Sequence, residues 1–203
     1  CTATKSSSDF SNEIFVDVEQ SVELPLQRGR IIPLETSDSS LLYDIVSIDQ
    51  VKDKYFIRSR NKILTFDTEG NYLYNISGIG QGNKEYVNLS SFFIKNEELC
   101  IYDFNQGRVL VFAPSGRYLR TEKAVKNSDV ECVPQLIRPY GKNKYIAKNS
   151  FNGTPGYVTP ALSLLDEKYT ITRTLEGHSL NTGFLLFDFM NCDDNGGFIT
   201  YWE

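Results

Sequence analysis

Catalysis and metal binding need titratable, nucleophilic or oxygen-rich side chains in close groups, and this 203-residue chain offers few such groupings. The single histidine, His178, stands in Glu176-Gly177-His178-Ser179. A general base needs an adjacent nucleophile and an orienting partner. Ser179 is adjacent in sequence only, and any triad would have to use this one imidazole, so a solvated loop histidine is expected. Gly78-Ile79-Gly80-Gln81-Gly82 has the glycine density of a phosphate-binding turn. Such a turn leads from a strand into a helix whose amides meet the phosphates. Here a short polar connection and another strand-like run follow, which predicts an interblade loop instead. Asp193-Asp194-Asn195-Gly196-Gly197 has the oxygen content of a calcium loop but lacks the spaced ligands and closing Glu of an EF-hand. A tight Asn-Gly hairpin explains it equally well. Cys1, Cys100, Cys132 and Cys192 show no CxxC spacing and no nearby histidine, which argues against zinc. Cys100, within Leu99-Cys100-Ile101-Tyr102, reads as a small buried hydrophobe. A disulfide among the three internal cysteines stays open, since spacing does not fix distance. No catalytic residue, no metal ligand and no cofactor are assigned.

Recognition chemistry has better candidates. Asp103-Phe104-Asn105-Gln106-Gly107-Arg108 and Arg58-Ser59-Arg60-Asn61-Lys62 are matching connections between strand-like runs. Asp103, Asn105, Arg108, Arg58 and Arg60 could contact a ligand at one mouth of a repeat structure; ordinary turn chemistry, with Asp and Asn bonding their own backbone, is the alternative. Phe151-Asn152-Gly153-Thr154-Pro155-Gly156-Tyr157 departs most from the repeat plan, and insertions into repeats tend to fall on the binding face. Phe151 or Tyr157 could stack on a sugar or peptide side chain, or be buried against a neighbour.

The elements that must carry these residues come from an internal echo. Leu64-Thr65-Phe66-Asp67-Thr68-Glu69-Gly70-Asn71-Tyr72-Leu73 returns 46 residues later as Leu110-Val111-Phe112-Ala113-Pro114-Ser115-Gly116-Arg117-Tyr118-Leu119. A period of that size on strand-like segments predicts an all-β fold, a β-propeller of four-stranded antiparallel blades. The 13 Phe and 12 Tyr against one Met agree, because aromatic rings fit a pleated surface.

Residues 1–12 read as a tether and 13–203 as an incomplete propeller of about three and a half blades. Within 13–42, Glu13 to Val18 and Arg30 to Leu34 are expected strands, assigned to fastening the last blade of a ring. Blade one (about 43–89) takes Tyr43 to Asp49, Lys54 to Arg58, Lys62 to Phe66 and Tyr72 to Ile76. Blade two (90–133) takes Ser91 to Lys95, Glu98 to Asp103, Arg108 to Phe112 and Arg117 to Glu122. Blade three (134–183) takes Gln135 to Tyr140, Lys144 to Lys148, Ala161 to Leu165 and Tyr169 to Leu175. A fourth begins at 184–203 with Phe184 to Met190 and Gly197 to Trp202. Six such blades would need about 270 residues at ~45 per blade, so further chain or a second propeller half is expected to complete the wall.

A formal charge of -5 provides no field for phosphates, and nucleic acid is not an expected partner. No apolar run is long enough for a membrane-spanning helix. Cys1 followed by Thr2-Ala3-Thr4-Lys5-Ser6-Ser7-Ser8-Asp9 resembles the start of a mature bacterial lipoprotein, in which that cysteine carries the lipid and a Ser-rich stretch serves as the tether.

At Gly78-Ile79-Gly80-Gln81-Gly82-Asn83-Lys84-Glu85-Tyr86 the chain resembles the six-bladed β-propeller lipoproteins of Gram-negative gut bacteria, distant relatives of NHL-repeat propellers. Gly80, Gly82, Glu85 and Tyr86 match their interblade segment, while Asn83 and Lys84 replace Pro-Gly. Ile32-Pro33-Leu34-Glu35-Thr36 and the Phe-x-x-x-Gly-x-Tyr-Leu hairpins fit as well. The resemblance covers residues 13–130 and specifies a scaffold without a catalytic signature. With the anchor, it implies an outer-membrane, cell-surface binding or accessory module that is not an enzyme. Its expected partners are the membrane, through the lipid, and an import complex or second propeller half, with a glycan or peptide as ligand. A propeller hydrolase or lyase with a metal on the central axis, and a purely structural docking module, are the competing expectations.

Overall fold

Period-two alternation between turn-forming pairs cuts the chain into short strands, each able to bury one or both faces. The computed structural model describes residues 29–124, 134–149 and 162–175, with the backbone of 189–193 and 196–200. Two compact units divide the chain, Cys1–Ile31 and Ile32–Glu203, and all the described strands belong to the second.

The first sheet comprises β1 (Ser47–Val51), β2 (Lys54–Ser59), β3 (Lys62–Asp67) and β4 (Tyr72–Ile76). The second comprises β5 (Ser91–Lys95), β6 (Glu98–Asp103), β7 (Arg108–Phe112) and β8 (Tyr118–Lys123). The third comprises β9 (Pro134–Pro139), β10 (Tyr145–Asn149), β11 (Leu162–Leu165) and β12 (Ile171–Leu175). A hairpin of β13 (Phe189–Asp193) and β14 (Gly196–Thr200) follows. Each four-stranded sheet runs in chain order with antiparallel neighbours throughout. The first strands of successive sheets approach one another: β1 nears β5, and β9 lies beside both β5 and β13. Sheets that meet along their first strands fan about a common line. The fold is therefore an all-β propeller, with three four-stranded blades and the opening hairpin of a fourth among the described residues.

Packing between blades follows the alternation. Phe92 and Phe93 are neighbours on β5 and turn to opposite faces. Phe92 joins Phe56, Ile63, Ile101 and Phe112 between blades one and two. Phe93 joins Val109, Val111, Tyr145 and Tyr169 between blades two and three. Each such ring or branched chain contributes about 1.5–3 kcal/mol on burial.

The repeated hairpin has one geometry in both copies. The Gly70 amide bonds to the Asp67 carbonyl at 3.1 Å and the Gly116 amide to the Ala113 carbonyl at 2.9 Å. Both glycines have positive φ, 89° and 80°. A register shift flanks each turn, between Thr65 and Phe66 and between Val111 and Phe112. In each hairpin the repeated spacing of Phe and Tyr makes an edge-on ring pair, Phe66–Tyr72 at 5.9 Å and Phe112–Tyr118 at 5.8 Å.

Several expected bounds are corrected. Tyr43 to Val46 are not strand, and β1 begins at Ser47. The Tyr43 amide bonds to Ser59 Oγ at 3.1 Å, and Asp44 Oδ1 accepts from Ser59 Oγ and the Arg60 amide at 3.0 and 2.8 Å. Side chains thus take the place of a ladder partner. Arg30 to Leu34 is not a strand either. The chain after it closes on blade one: the Glu35 amide donates to the Gly70 carbonyl at 2.8 Å, and Glu35 Oε2 accepts from the Tyr72 amide at 2.9 Å. Leu34 and Leu42 pack over Ile57, Leu64 and Phe66. In blade three the same turn is closed without glycine. Tyr169, expected in a strand, stands at φ 62° with its amide 3.0 Å from the Asp166 carbonyl. Asp193 pairs with Gly196, so the last hairpin has a two-residue connection. Glu13 to Val18, residues 184–188 and Trp202 lie outside the described residues.

A β-carbon on Gly70 would lie 2.1 Å from the Pro33 carbonyl oxygen. Gly141 also has positive φ, 63°, but nothing within 4 Å of that position. Gly70→Ala should therefore lower stability by more than the roughly 1–3 kcal/mol of backbone strain alone. Gly141→Ala should show the strain alone. Urea denaturation of the two variants beside the parent chain measures the difference.

Candidate functional site

The turns at the ends of β2 and β6 place the sequence-predicted residues. Asp103 closes β6 and is fully buried. Its Oδ1 accepts from the amides of Asn105 and Gln106 at 3.0 and 3.3 Å, and its Oδ2 accepts from the Val87 amide at 2.8 Å. Both oxygens are thus engaged by backbone, fixing the turn and the entry to blade two. Asn105 is exposed beside it.

Arg108 opens β7 and reaches the glycine-rich loop. Its Nη2 donates to the carbonyls of Gly82 and Glu85 at 2.8 and 2.5 Å. Glu85 folds back so that its Oε2 accepts from the Gly82 amide at 2.9 Å. A β-carbon on Gly80 would stand 2.0 Å from that same oxygen. The loop closes through the Tyr86 amide on the Gly78 carbonyl at 2.7 Å, and the buried Tyr86 hydroxyl donates to the Asn61 and Ile76 carbonyls at 2.7 and 3.1 Å. The glycines accommodate a carboxylate of the chain itself, and β5 rather than a helix follows. The segment is an interblade connector.

Arg58 and Arg60 flank the β2–β3 turn. Arg60, at φ 53°, sets its guanidinium 4.1 Å from the centre of the Tyr43 ring. Arg58 Nη1 donates to the Ser90 carbonyl at 2.7 Å and its Nε to the Arg60 carbonyl at 3.2 Å. Ser90 joins the two predicted loops, because its Oγ accepts from the Phe104 amide at 3.1 Å.

A further charged group lies along the first strands, and the sequence reading missed two of its members. Arg138 of β9 donates from Nη1 to the Phe92 carbonyl at 2.5 Å, and that nitrogen lies 3.6 Å from Asp49 Oδ2 of β1. That separation is an ion pair but too long for a hydrogen bond. Asp49 Oδ2 and Ser47 Oγ are buried atoms without a hydrogen-bond partner. An unsatisfied buried polar atom costs about 1–3 kcal/mol, so these two need an explanation. Burial pushes the Asp49 carboxyl up to about 6, against the opposing pull of Arg138. Burial first, and then the neighbouring charge of Arg138, lowers the pKa of Arg58. Ser47 stands opposite Arg58 in the β1–β2 register, so Ser47, Asp49 and Arg58 share a face. The signal was available in the repeat: Asp49 holds the register position that Phe93 fills in β5, where the side chain is buried. A carboxylate in the place of a core phenylalanine marks a departure from pure packing.

Cys100 is a free, buried thiol whose pKa burial pushes up to about 12, which leaves it unreactive at neutral pH. Among the described residues no group of three His, Cys, Asp or Glu could hold a metal ion. Cys1, Cys132, Phe151, Tyr157 and His178 lie outside the described residues.

The blades and their axial edge define the class as a β-propeller. Residues 20–203 match the family described as Domain of unknown function (DUF4934), and the chain belongs to that family. No curated protein matches the sequence. Among solved structures, the chain is similar to a Bacteroides fragilis protein described, by inference, as exported: TM-score 0.62 and 18% identity over 76% of this chain and 43% of that one. It is also similar to a Bacteroides caccae protein of unknown function (TM-score 0.45, 14% identity, 64% of this chain and 48% of that one). A third is the WD40 domain of Neurospora crassa Pan2 (TM-score 0.43, 10% identity, 65% and 36%). The chain spans less than half the length of each. At these identities the first likeness speaks for the fold.

The raised Asp49 carboxyl has a direct consequence for pH dependence. A group near 6 in the folded chain and at its ordinary 3.8 when exposed binds its proton more tightly in the fold, so stability falls as pH rises between those values. Asp49→Asn removes that contribution. Thermal melts at about pH 4 and about pH 7 should show the variant gaining on the parent chain at the higher pH.

Proposed function

We propose that this chain is an exported, outer-membrane-anchored binding module that captures a glycan or peptide without transforming it, beside an import complex. The observation that carries the reading is the convergence of Asp49, Arg58 and Arg138 from two blades on the edge of a third, with two buried oxygens left for a ligand to satisfy. Charged and hydroxyl groups held on rigid strands, without a nucleophile–base pair among them, suit recognition better than turnover. The lipid anchor rests on Cys1 and the Ser-rich residues after it, and export agrees with the description of the Bacteroides fragilis neighbour. Arg60, Asn105, Phe151 and Tyr157 remain contributors to the same mouth under this reading.

An apolar strip favours docking of a second propeller half as an additional role. Leu41, Tyr43, Ile45, Val46 and Ile48 are all exposed. Ile48 holds the register position of Phe92, yet Ile48 is 54% exposed and Phe92 0%. In blade two that position is covered by the preceding blade, so another blade is the surface that fits it.

In the native host, the parent chain should partition into the membrane fraction and Cys1→Ser into the aqueous phase of a detergent extraction. Purified chain incubated with a panel of glycans and peptides should retain a member saturably and release it unchanged by mass spectrometry. Cleaved or eliminated product would move the reading to the hydrolase or lyase class. For the docking role, light scattering should show self-association that Ile48→Lys abolishes.

A further inference from the structure

Resting on the docking role above, the junctions between the described blades specify what the exposed strip of blade one takes. Each blade has a leading side towards the blade before it and a trailing side towards the blade after it. Ile48, Phe92 and Ile137 hold one register position on the leading sides, opposite Ile57, Ile101 and Ala147. Three residues earlier stand Ile45, Leu89 and Pro134. Leu89 and Phe92 are sealed against Val51, Phe56 and Ile63 of blade one. Pro134 and Ile137 are buried too, Ile137 among Phe93, Cys100 and Tyr102 of blade two. In blade one, Leu34 and Leu42 cover Ile57, Leu64 and Phe66, but Ile45 and Ile48 are 57% and 54% exposed. The strip is thus one of a series of three whose other two members are each covered by a trailing side. Polar groups give the junction a direction. At the end of the second strand of a blade, Arg58 Nη1 donates to the Ser90 carbonyl at 2.7 Å, and the Tyr102 hydroxyl to the Pro134 carbonyl at 2.6 Å. Both acceptors lie at the entry to the following blade. Two strips facing each other would set acceptors against acceptors there, so a trailing side completes the contact and a second strip does not.

This chain carries a matching trailing side. Those of blades one, two and three are each met by the next first strand, β5, β9 and β13. The hairpin β13–β14 has no sheet after it among the described residues. Its two-residue turn fixes the correspondence, because Phe189↔Thr200 stands as many pairs from the turn as Ser47↔Arg58 and Ser91↔Tyr102. Thr200 therefore holds the register position of the donors Arg58 and Tyr102, and Phe198 that of Phe56, which packs with Phe92. We propose that the leading strip of blade one, with Ile45 and Ile48 at its centre, docks head to tail on the β13–β14 hairpin of a second copy of this chain. The contact is heterologous and repeats between copies the junction that joins consecutive blades within one.

Photocrosslinking of the full chain tests this, with a benzophenone amino acid replacing Ile48 and heavy-isotope-labelled copies mixed with unlabelled ones. Light scattering should show association, and mixed-isotope crosslinks should run from position 48 to β13 or β14. Ile45→Lys should weaken association by roughly tenfold or more, because it buries a charge against apolar groups. Mixed-isotope crosslinks from position 48 to residues 41–48 would overturn the head-to-tail junction and leave docking of a second copy standing. Crosslinks to any other segment of the second copy would do the same. A chain that stays monomeric, or that links position 48 only within one copy, would overturn the inference and the docking role together. Position 48 is exposed in the parent fold, so the crosslinking result stays decisive even if the lysine variant misfolds.

Discussion

A sheet that is apolar on both faces cannot stand alone in water, and blade two is such a sheet. On β6 every residue from Leu99 to Asp103 is buried, so neither side of that strand meets solvent. Its stability requires a neighbour on each side, and blades one and three supply them through Phe92 on one face and Phe93 on the other. A slip of one residue in the β5–β6 register would exchange those two rings between interfaces, so the turns that set register are as much a part of the core as the rings themselves. Gly70, Gly116 and the shifts beside them hold the alternation in phase along the chain.

The same requirement explains what could be read from sequence. Tyr72–Ile76, Ser91–Lys95, Glu98–Asp103 and Arg108–Phe112 were legible to their end residues, because apolar alternation and turn chemistry coincide there. The echo was legible because one structural unit, a ring pair across a glycine turn, recurs. Elsewhere local pattern misled. Tyr43 to Val46 alternates like a strand, but Ser59 Oγ captures the amides of Tyr43 and Asp44, and Asp44 in turn binds the Arg60 amide. Arg30 to Leu34 has strand composition, while the chain beyond it is committed to the Gly70 turn. Those competitors come from groups distant in sequence, which periodicity does not register.

The candidate site was legible by residue type and less so by partner. Arg58 was found, and Asp103 and Arg108 were singled out from turn position alone. Their bonds to Val87, Gly82 and Glu85 depend on how the interblade connector folds. Asp49 and Arg138 look like ordinary polar positions of exposed strands until two blades bring them together. Only alignment of β1 on β5 marks Asp49, by setting a carboxylate where a buried ring is expected.

Tyr169 stands where the other hairpins have glycine, in a conformation unfavourable to a side chain. Its ring lies 4.7 Å from that of Tyr145, and its hydroxyl donates to Glu122 of the preceding blade at 3.1 Å. The unfavourable backbone is tolerated because a different module rewards it. Blade three has therefore lost interchangeability: duplicated or transplanted to another rank in the array, its hairpin would keep the awkward torsion without the carboxylate that compensates for it. Divergence of the copies has in this way turned a set of equivalent parts into an ordered sequence of parts, each fitted to the one before.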